Sequence, residues 1–177
     1  MATTSEAPVL AGAAAHTTIQ SSLGDLTVVA RGGLVTGLYF PRHWHMPDRS
    51  AFGEYGGTGF DDVRRQLDEY LAGERREFDV AVGAAGSAFQ ERVWRLISQI
   101  PYGTTVSYGE LARELGGGNT AQEVGAAVGR NPVSILIPCH RVVGAGGGLT
   151  GYAGGLRRKR ILLDLEQDVA GRSARLF

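Results

Sequence analysis

The sequence predicts an α+β protein, in which a small N-terminal β-sheet domain with one helix packs on a mostly helical C-terminal domain. Short β-type segments separated by glycine turns fill residues 17–40, and a helical apolar repeat follows. Beyond residue 86, three Ser/Thr-x-x-Gln/Glu motifs stand at the start of further helical repeats. The predicted division is a flexible leader (1–15), an N-terminal α/β domain (16–82), a C-terminal domain with a helix-turn-helix (86–170) and a C-terminal tail (171–177).

The N-terminal domain is predicted from β-type runs and one amphipathic helix. The segments LGDL and RGGL favour reversals between strands, and residues 41–57 are predicted as a loop rich in Gly, Pro and His. REFDVAV, residues 76–82, is predicted as one more strand, and residues 83–87 as a hinge. TGFDDVRRQLDEYLAGE has helical spacing up to Gly73, with its apolar face formed by Phe60, Val63, Leu67, Tyr70 and Leu71.

The C-terminal domain has clear helix starts. The capping boxes are Ser87 with Gln90, Ser107 with Glu110, and Thr120 with Glu123. The last two precede short helices around the segment GGGN, which predicts a helix-turn-helix, although an ordinary pair of helices has the same pattern. The final helix, LRRKRILLDLEQD, is predicted to bury Ile161, Leu162 and Leu165 and to expose Arg157, Arg158, Lys159 and Arg160.

Composition restricts the classes of function. No stretch approaches the roughly 20 apolar residues of a membrane span, and the start MATTSEAPVLAGAAAH lacks the features of a signal peptide. A single cysteine fits a reducing cytoplasm. Residues 1–85 contain 7 basic and 11 acidic residues, whereas residues 86–177 contain 11 and 7. The basic half is the better candidate for binding a polyanion, although solvated surface charge explains the asymmetry about equally well.

Cys139, the only cysteine, is the candidate reactive residue. It follows an apolar run and Pro138, and His140 is its neighbour. Adjacent residues in a strand point to opposite faces, so the pair can cooperate only if the backbone turns at Cys139. Such a turn would allow the imidazole to activate the thiol. From these residues alone, a small core side chain and the nucleophile of a cysteine hydrolase remain alternatives.

The segment IPCHRVVG, preceded by GRNP and followed by TGYAGG, closely resembles the active-site segment of the O6-alkylguanine-DNA alkyltransferases, or methylated-DNA–protein-cysteine S-methyltransferases. The resemblance extends from about Ser87 to Glu166 and includes FQERVWRLISQIPYGTTVSYGELA, the helix pair and the last helix, in the same order. The N-terminal half is more loosely similar to the family's ribonuclease H-like domain. Pro-Cys-His-Arg alone could arise by chance, but the full set of motifs is highly specific.

The resemblance implies a repair enzyme that binds duplex DNA containing O6-alkylguanine, rotates the damaged base out of the stack and moves its methyl or alkyl group to Cys139. O4-methylthymine is a further candidate substrate. The thioether product is stable, so each molecule acts once, and no cofactor carries the group. The implied protein is a cytoplasmic monomer without a membrane partner. The alternative is a non-catalytic protein that binds alkylated DNA and flags lesions for other pathways, but such proteins typically lack the cysteine.

The resemblance also assigns catalytic roles to five residues. Cys139 is the nucleophile and acceptor, His140 takes the thiol proton through water, and Glu166 orients His140. Tyr108 donates a hydrogen bond to the flipped base and presses on the 3′ phosphate, and Asn131 is a hinge between the recognition helix and the cysteine segment. Without the resemblance, Glu166 would be a solvated helix residue, Tyr108 a core tyrosine and Asn131 the start of a turn.

Further residues match the family's contacts with DNA and the base. The family lays its recognition helix in the minor groove, where small residues allow close approach and sequence is poorly read. Gln122 replaces an arginine that enters the duplex in place of the base, which predicts weaker stabilisation of the extrahelical base, and Ala153 replaces a frequent serine. The predicted DNA- and base-binding residues are Gln122, Tyr108, Arg141, Val142, Tyr152, Ala153, Lys159, Gly125, Ala126 and Ala127.

His43 and His45, in HWHMPD, are the residues that could suggest a metal site. Some members of the family bind a structural zinc in this half through cysteines, but this half has no cysteine. Two histidines are too few for a zinc site. The sequence therefore predicts no metal ion.

Overall fold

The N-terminal half forms a four-stranded sheet in the computed structural model, which describes residues 12–56 and 58–175. The first three strands form antiparallel hairpins at the two predicted glycine turns, and the fourth pairs with the first in parallel. The spatial order is β3-β2-β1-β4. The strands are β1 (Ala14–Ile19), β2 (Leu26–Arg31), β3 (Leu34–Tyr39) and β4 (Glu54–Tyr55).

Two boundaries of the N-terminal half differ from the prediction. β1 begins at Ala14, inside the range predicted as leader, because Ala14 and Ala15 pair with the end of β2. Residues 1–11 of that range lie outside the described residues. The predicted loop at 41–57 contains a 3-10 turn at Arg49–Phe52 and β4, because the edge of β1 provides partners for this segment.

Helix α1 (Asp61–Leu71) ends before Gly73, as predicted, and that glycine has a left-handed φ of 77°. Its Val63, Leu67 and Tyr70 are buried in the main core. The prediction of a strand at 76–82 is wrong, since this segment makes only an isolated bridge at its last residue. The backbone N–H of Asp79 donates to the side chain of Gln66 at 2.8 Å instead of to a neighbouring strand.

The C-terminal half is mostly helical, and all three predicted capping boxes are present. The helices at Tyr108–Leu115 and Ala121–Gly129 pack on each other around a turn of three glycines with positive φ, in the arrangement predicted for the helix-turn-helix. Residues 106–107, just before the first of these two helices, pair in parallel with residues 142–143, just after the cysteine segment. The elements are α2 (Ala88–Ile97), β5 (Val106–Ser107), α3 (Tyr108–Leu115), α4 (Ala121–Gly129), β6 (Val142–Val143) and α5 (Leu156–Ala174).

The buried face of α5 differs from the predicted one. Lys159 is fully buried, whereas Ile161 is 40% exposed and Leu165 is half-buried. The buried residues Lys159, Leu162, Leu163, Glu166 and Val169 lie on one face at helical spacing. The apolar pattern predicts the wrong face because two of the buried residues, Lys159 and Glu166, are charged and have specific partners. The helix also continues to Ala174, into the range predicted as a tail.

One hydrophobic core joins both halves of the chain. Leu38 in the sheet forms a bridge to Val133, in the segment that leads to Cys139. Arg158 on α5 donates to the carbonyls of Leu23 and Pro41 at 2.8 and 3.2 Å. These contacts fix α5 and the cysteine segment against the N-terminal sheet. Across the described parts of the chain, no helix is long and apolar enough to cross a membrane.

Candidate active site

Cys139 is the first residue of a short 3-10 turn, Cys139–Arg141, that follows Pro138. The chain therefore turns at the cysteine, as cooperation with His140 requires. Both side chains are buried, with 4% of Cys139 and none of His140 exposed. Just upstream, Ile135 has a φ of 70°, which a β-branched residue rarely adopts. Such a strained segment persists only where its surroundings hold it in place.

Asn131 supplies part of that restraint. Its Nδ2 donates to the carbonyl of Ile137 at 2.9 Å, and its Oδ1 accepts from the backbone N–H of Val133 at 3.0 Å. It is 2% exposed and follows the end of α4. The Asn131 side chain also acts to lower the pKa of the Cys139 thiol, against the larger effect of burial. Asn131 thus joins α4 to the cysteine segment, and its role as a hinge stays a prediction.

Glu166 is the centre of a buried hydrogen-bond network. Its Oε1 lies 2.8 Å from His140 Nε2 and accepts from Arg141 Nη2 at 2.8 Å. Its Oε2 accepts from Arg141 Nε at 2.9 Å and from the backbone N–H of Gly103 at 3.0 Å. Burial acts to raise the pKa of Glu166, but the hydrogen bonds from His140 and Arg141 and the charge of Arg141 outweigh burial and hold it well below the usual range. Glu166 is therefore a buried, ionised carboxylate.

His140 is held as a neutral base beside this carboxylate. Burial lowers its pKa more than Glu166 raises it, and the cations of Arg141 and Lys159 lower it further. An ionised carboxylate can only accept, so the His140 nitrogen that faces it, Nε2, carries the hydrogen. Nδ1 is buried without a hydrogen-bond partner among the described residues. Nδ1 is therefore the nitrogen that can accept a proton.

The thiol of Cys139 is neutral at rest. Burial raises its pKa, and this outweighs the opposing effects of Asn131, Lys159 and Ser134. A thiol of this kind becomes a nucleophile only when a nearby base takes its proton. The cysteine and its neighbouring imidazole, with the carboxylate behind it, form a nucleophile–base–orienter set that suits displacement at carbon.

Lys159 and Tyr108 meet below the glycine-rich segment 144–155. The Nζ of Lys159 donates to the carbonyl of Thr150 at 3.1 Å, and the hydroxyl of Tyr108 donates to the same carbonyl at 3.0 Å. Nζ also lies 5.7 Å from the Tyr108 ring centroid. Burial lowers the pKa of Lys159 to about 8, and Cys139 opposes this shift. At neutral pH Lys159 is therefore mostly a cation, placed to stabilise a thiolate.

Three other predicted base-contacting residues lie around this group. Tyr152 is 9% exposed, and its hydroxyl faces Cys139, with no protein partner of good geometry in the described chain. The carbonyl of Ala153 accepts from the backbone N–H of Trp44 at 2.9 Å. Val142 is fully buried and pairs with Val106, so it supports the site from the core side.

Arg141 does not have the position that the base-binding prediction requires. It is 8% exposed, and its guanidinium donates to both oxygens of Glu166 and to the carbonyl of Ile100 at 2.6 Å. The guanidinium also lies over the Tyr102 ring, 5.6 Å from its centroid. Because these donors are used inside the protein, the structure corrects Arg141 from a base contact to a partner of Glu166.

The predicted DNA-binding residues of α4 fall on two faces. Gln122 and Ala126 are exposed, and Gly125 is half-exposed beside the Tyr108 ring. Ala127 is 4% exposed and packs in the core, where its carbonyl accepts from Trp94 Nε1 at 2.8 Å. The prediction that Ala127 contacts DNA is therefore corrected, since Ala127 lies with Val124 and Val128 on the buried face of α4.

Sequence reasoning did not place Tyr70, Gly103 or Ser134 in the site. The helical pattern predicts Tyr70 only on the core face of α1, yet its hydroxyl donates to Glu166 Oε1 at 2.7 Å. No local signal could have found this contact, because 96 residues separate the two side chains. No sequence pattern indicates Gly103 or Ser134 either. Gly103 contacts Glu166 through its backbone N–H, and Ser134 acts on Cys139 through a buried hydroxyl.

Of the two histidines at 43 and 45, His43 has surroundings typical of a structural residue, and His45 is exposed. His43 is 7% exposed, and its Nδ1 accepts from the backbone N–H of Phe40 at 3.3 Å. Within residues 12–56 and 58–175, no group of three or more His, Cys, Asp or Glu side chains is arranged to hold a metal ion.

Comparisons with known proteins match both halves of the chain. The family described as "6-O-methylguanine DNA methyltransferase, ribonuclease-like domain" matches residues 15–83, and "6-O-methylguanine DNA methyltransferase, DNA binding domain" matches residues 88–168. The methylated-DNA–protein-cysteine methyltransferase of Mycobacterium tuberculosis H37Rv is 44% identical over 162 residues, which cover 92% of this chain and 98% of the relative. The Mycobacterium leprae protein of the same name is 42% identical over 90% of this chain and 96% of the relative.

Solved structures agree with these sequence matches. The crystal structure of M. tuberculosis OGT in complex with DNA is similar with a TM-score of 0.83 and 44% identity, covering 88% of this chain and 94% of that one. An O6-methylguanine-DNA methyltransferase from Pyrococcus kodakaraensis, at 22% identity and a TM-score of 0.61, shares the fold. With both domains matched in order, this chain belongs to the 6-O-methylguanine DNA methyltransferase family, whose members include the methylated-DNA–protein-cysteine methyltransferases.

Proposed function

We propose that this protein repairs DNA by moving a methyl or alkyl group from O6-alkylguanine in duplex DNA to the sulfur of Cys139. The observation that carries the proposal is the set of Cys139, neutral His140 and ionised Glu166, with His140 Nε2 2.8 Å from the carboxylate. The names of the relatives, and the DNA in the M. tuberculosis complex, support the same activity.

The transfer is a displacement at the carbon attached to O6 of the guanine. His140 Nδ1 takes the proton of the Cys139 thiol through water, and the sulfur then attacks the carbon attached to O6. A carbon–sulfur bond forms as the carbon–oxygen bond breaks, and the proton that the thiol lost replaces the alkyl group on the restored guanine. Tyr108 offsets the charge that the base develops as the group leaves. The thioether is stable, so each molecule acts once.

Entry of the base requires the segment over the sulfur to open. Tyr108 and Lys159 both donate to the Thr150 carbonyl, which lies on the glycine-rich segment 144–155. An incoming purine offers acceptors that can replace this carbonyl. The exchange frees the Tyr108 hydroxyl for the base, while glycines such as Gly147, with a φ of 83°, allow the segment to rearrange.

The exposed face of α4 supports the proposed binding to the minor groove. Gly125 and Ala126 present no bulky side chain, so the helix can approach the duplex closely. Gln122, at the exposed start of the helix, fills the place of the rotated base. Unstacking costs a few kcal/mol, and less for a poorly paired alkylated guanine, so ease of base flipping contributes to selectivity.

The substitution Gln122→Arg is expected to accelerate transfer from a methylated duplex by about fivefold, since a guanidinium adds positive charge and a stacking plane. The rate is measured under single-turnover conditions. Gln99→Arg adds the same charge at an exposed position before α3 and serves as the control. Equal rates for Gln122→Arg and the parent would show that another residue occupies the gap left by the base.

The direct test mixes the protein with a duplex containing O6-methylguanine and weighs the intact protein. The proposal predicts a gain of one methyl group per molecule, and no gain with an unmodified duplex. Binding without a gain in mass would favour the alternative, a non-catalytic protein that flags lesions. If the protein neither binds the duplex nor gains mass, the remaining hypothesis is that Cys139 is the nucleophile of a cysteine hydrolase.

Three further features belong to the proposal. The protein acts as a monomer, because a single chain contains the nucleophile, the base and the exposed face of α4. It acts in the cytoplasm, where a lone thiol stays reduced. Its domains are those predicted at residues 16–82 and 86–170, extended to Ala14 and Ala174 by the ends of β1 and α5. No cofactor takes part because the sulfur itself accepts the alkyl group.

A further inference from the structure

Tyr70 extends from the N-terminal half into the cluster around Glu166. It lies on α1 and is fully buried, and its ring packs against Phe78 and Tyr102 with centroid distances of 5.1 and 6.1 Å. Its hydroxyl oxygen lies 2.7 Å from Glu166 Oε1 and 3.3 Å from His140 Nε2. Tyr70 thus belongs to the N-terminal half of the chain, and its hydroxyl contacts both His140, the catalytic base, and Glu166, the carboxylate that orients it.

The hydrogens of this trio can be assigned from donor and acceptor chemistry. Tyr70 has one hydroxyl hydrogen, and burial raises its pKa well above the usual value, with the charge of Glu166 adding to the effect. The hydrogen is donated to Glu166, which is the shorter contact and can only accept. The hydroxyl oxygen therefore presents lone pairs to His140. Two acceptors then face Nε2, so hydrogen on Nε2 is strongly favoured.

We propose that Tyr70 is a positioning residue for the transfer, because it holds Glu166 in place and fixes His140 with its hydrogen on Nε2 and its basic lone pair on Nδ1. This inference rests on the proposed function for its consequence, since it names what prepares His140 to take the thiol proton. It also gives the N-terminal domain a part in the chemistry, through one hydroxyl on α1.

The surroundings of His140 determine what loss of this hydroxyl would do. The charged groups that act on it are Glu166, Arg141 and Lys159, and the titratable side chains of Tyr70 and Cys139 lie beside it. Without Tyr70, the donors that Glu166 Oε1 keeps among the described residues are His140 and Arg141. A carboxylate with fewer donors attracts a proton on His140 more strongly, so the pKa of His140 rises. Protonated His140 cannot act as the base, and its orientation is also less restricted.

The test compares the parent, Tyr70→Phe and the control Tyr102→Phe. The Tyr102 hydroxyl is buried in the same cluster without a hydrogen-bond partner in the described chain, so the control removes a hydroxyl that positions nothing. Transfer from an O6-methylguanine duplex is followed from about pH 5 to about pH 9, the range over which histidine titrates. We expect Tyr70→Phe to be about tenfold slower at neutral pH, as for loss of a hydrogen bond to a charged group.

The pH profile separates positioning from simple destabilisation. In Tyr70→Phe the acid limb is expected to move to higher pH, whereas in Tyr102→Phe both rate and profile match the parent. A folded Tyr70→Phe protein with the parent's rate and profile would overturn the proposal. So would an equal slowing by both variants at every pH, since loss of packing alone explains that result.

A measurement on the parent needs neither activity nor a folded variant. Nitrogen NMR of histidine-labelled protein distinguishes the two neutral tautomers, and the chain has four histidines to assign. The proposal predicts hydrogen on His140 Nε2, and hydrogen on Nδ1 would overturn it. If the parent gains no methyl group in the mass experiment, the proposed function fails, while the NMR result still decides the hydrogen assignment of His140, and the comparison of Tyr70→Phe with the parent in the same spectrum shows what Tyr70 contributes to it.

Discussion

The Cys139→Ser protein is expected to gain no methyl group from an O6-methylguanine duplex while still binding it. A serine hydroxyl is far less acidic than a thiol, so the neutral His140 cannot generate a comparable nucleophile. The fold should tolerate the change, because the buried position already has polar neighbours in Asn131 and Ser134. The expected result is complete loss of transfer with little loss of stability.

The measurement is intact mass after prolonged incubation with excess methylated duplex. Thermal unfolding and duplex affinity are recorded as controls and should stay close to those of the parent. The sequence contains no second cysteine, so a methyl group found on the serine variant would identify a different acceptor and contradict the role assigned to Cys139.

Glu166→Gln is expected to reduce both transfer and stability. The amide cannot hold Arg141 and His140 as an ionised carboxylate does, and it leaves the buried guanidinium without a counter-charge. Removing one partner of a buried ion pair costs about 3–5 kcal/mol of unfolding free energy. Transfer should slow by about a hundredfold, the lower range for loss of general-base catalysis, because His140 loses the carboxylate that orients it. Asp164→Asn removes an exposed carboxylate from the same helix and is the matched control.

The stability loss in Glu166→Gln should depend on pH in a defined direction. The pKa of Glu166 in the folded protein is held below its ordinary value of 4.5. Its charge therefore contributes stability that is fully present above that value and is lost as the pH falls through the lowered pKa. Denaturant unfolding should show the full difference between parent and variant at neutral pH and a smaller one in acid. A difference that grows on acidification would contradict the ionised state assigned to Glu166.

Elements with strong local signals were predictable from the sequence. The three capping boxes start α2, α3 and α4 where predicted, because the serine or threonine and the third following residue complete each other's hydrogen bonds. Elements that depend on distant partners were not. β4 forms because the edge of β1 is available, and residues 76–82 fail to form a strand although their composition favours one.

Some residues of the candidate site were likewise predictable from the sequence, and others were not. The resemblance placed Cys139, His140 and Glu166 together, and the structure joins His140 to Glu166 at 2.8 Å. The buried Lys159 contradicts the expectation that it faces solvent, and the inward guanidinium of Arg141 contradicts the expectation that it contacts the base. Both depend on partners in other parts of the fold, such as the Thr150 carbonyl, which no local pattern reveals.

The central claim is that the sulfur of Cys139 takes carbon directly from the damaged base. It is tested most directly with a duplex whose O6-methyl group carries deuterium, followed by peptide mapping of the protein and base analysis of the DNA. The account predicts one labelled methyl on Cys139 for each guanine restored, with no further repair once every protein molecule is labelled. Label on another residue, or guanine restored while the label appears as free methanol, would contradict it.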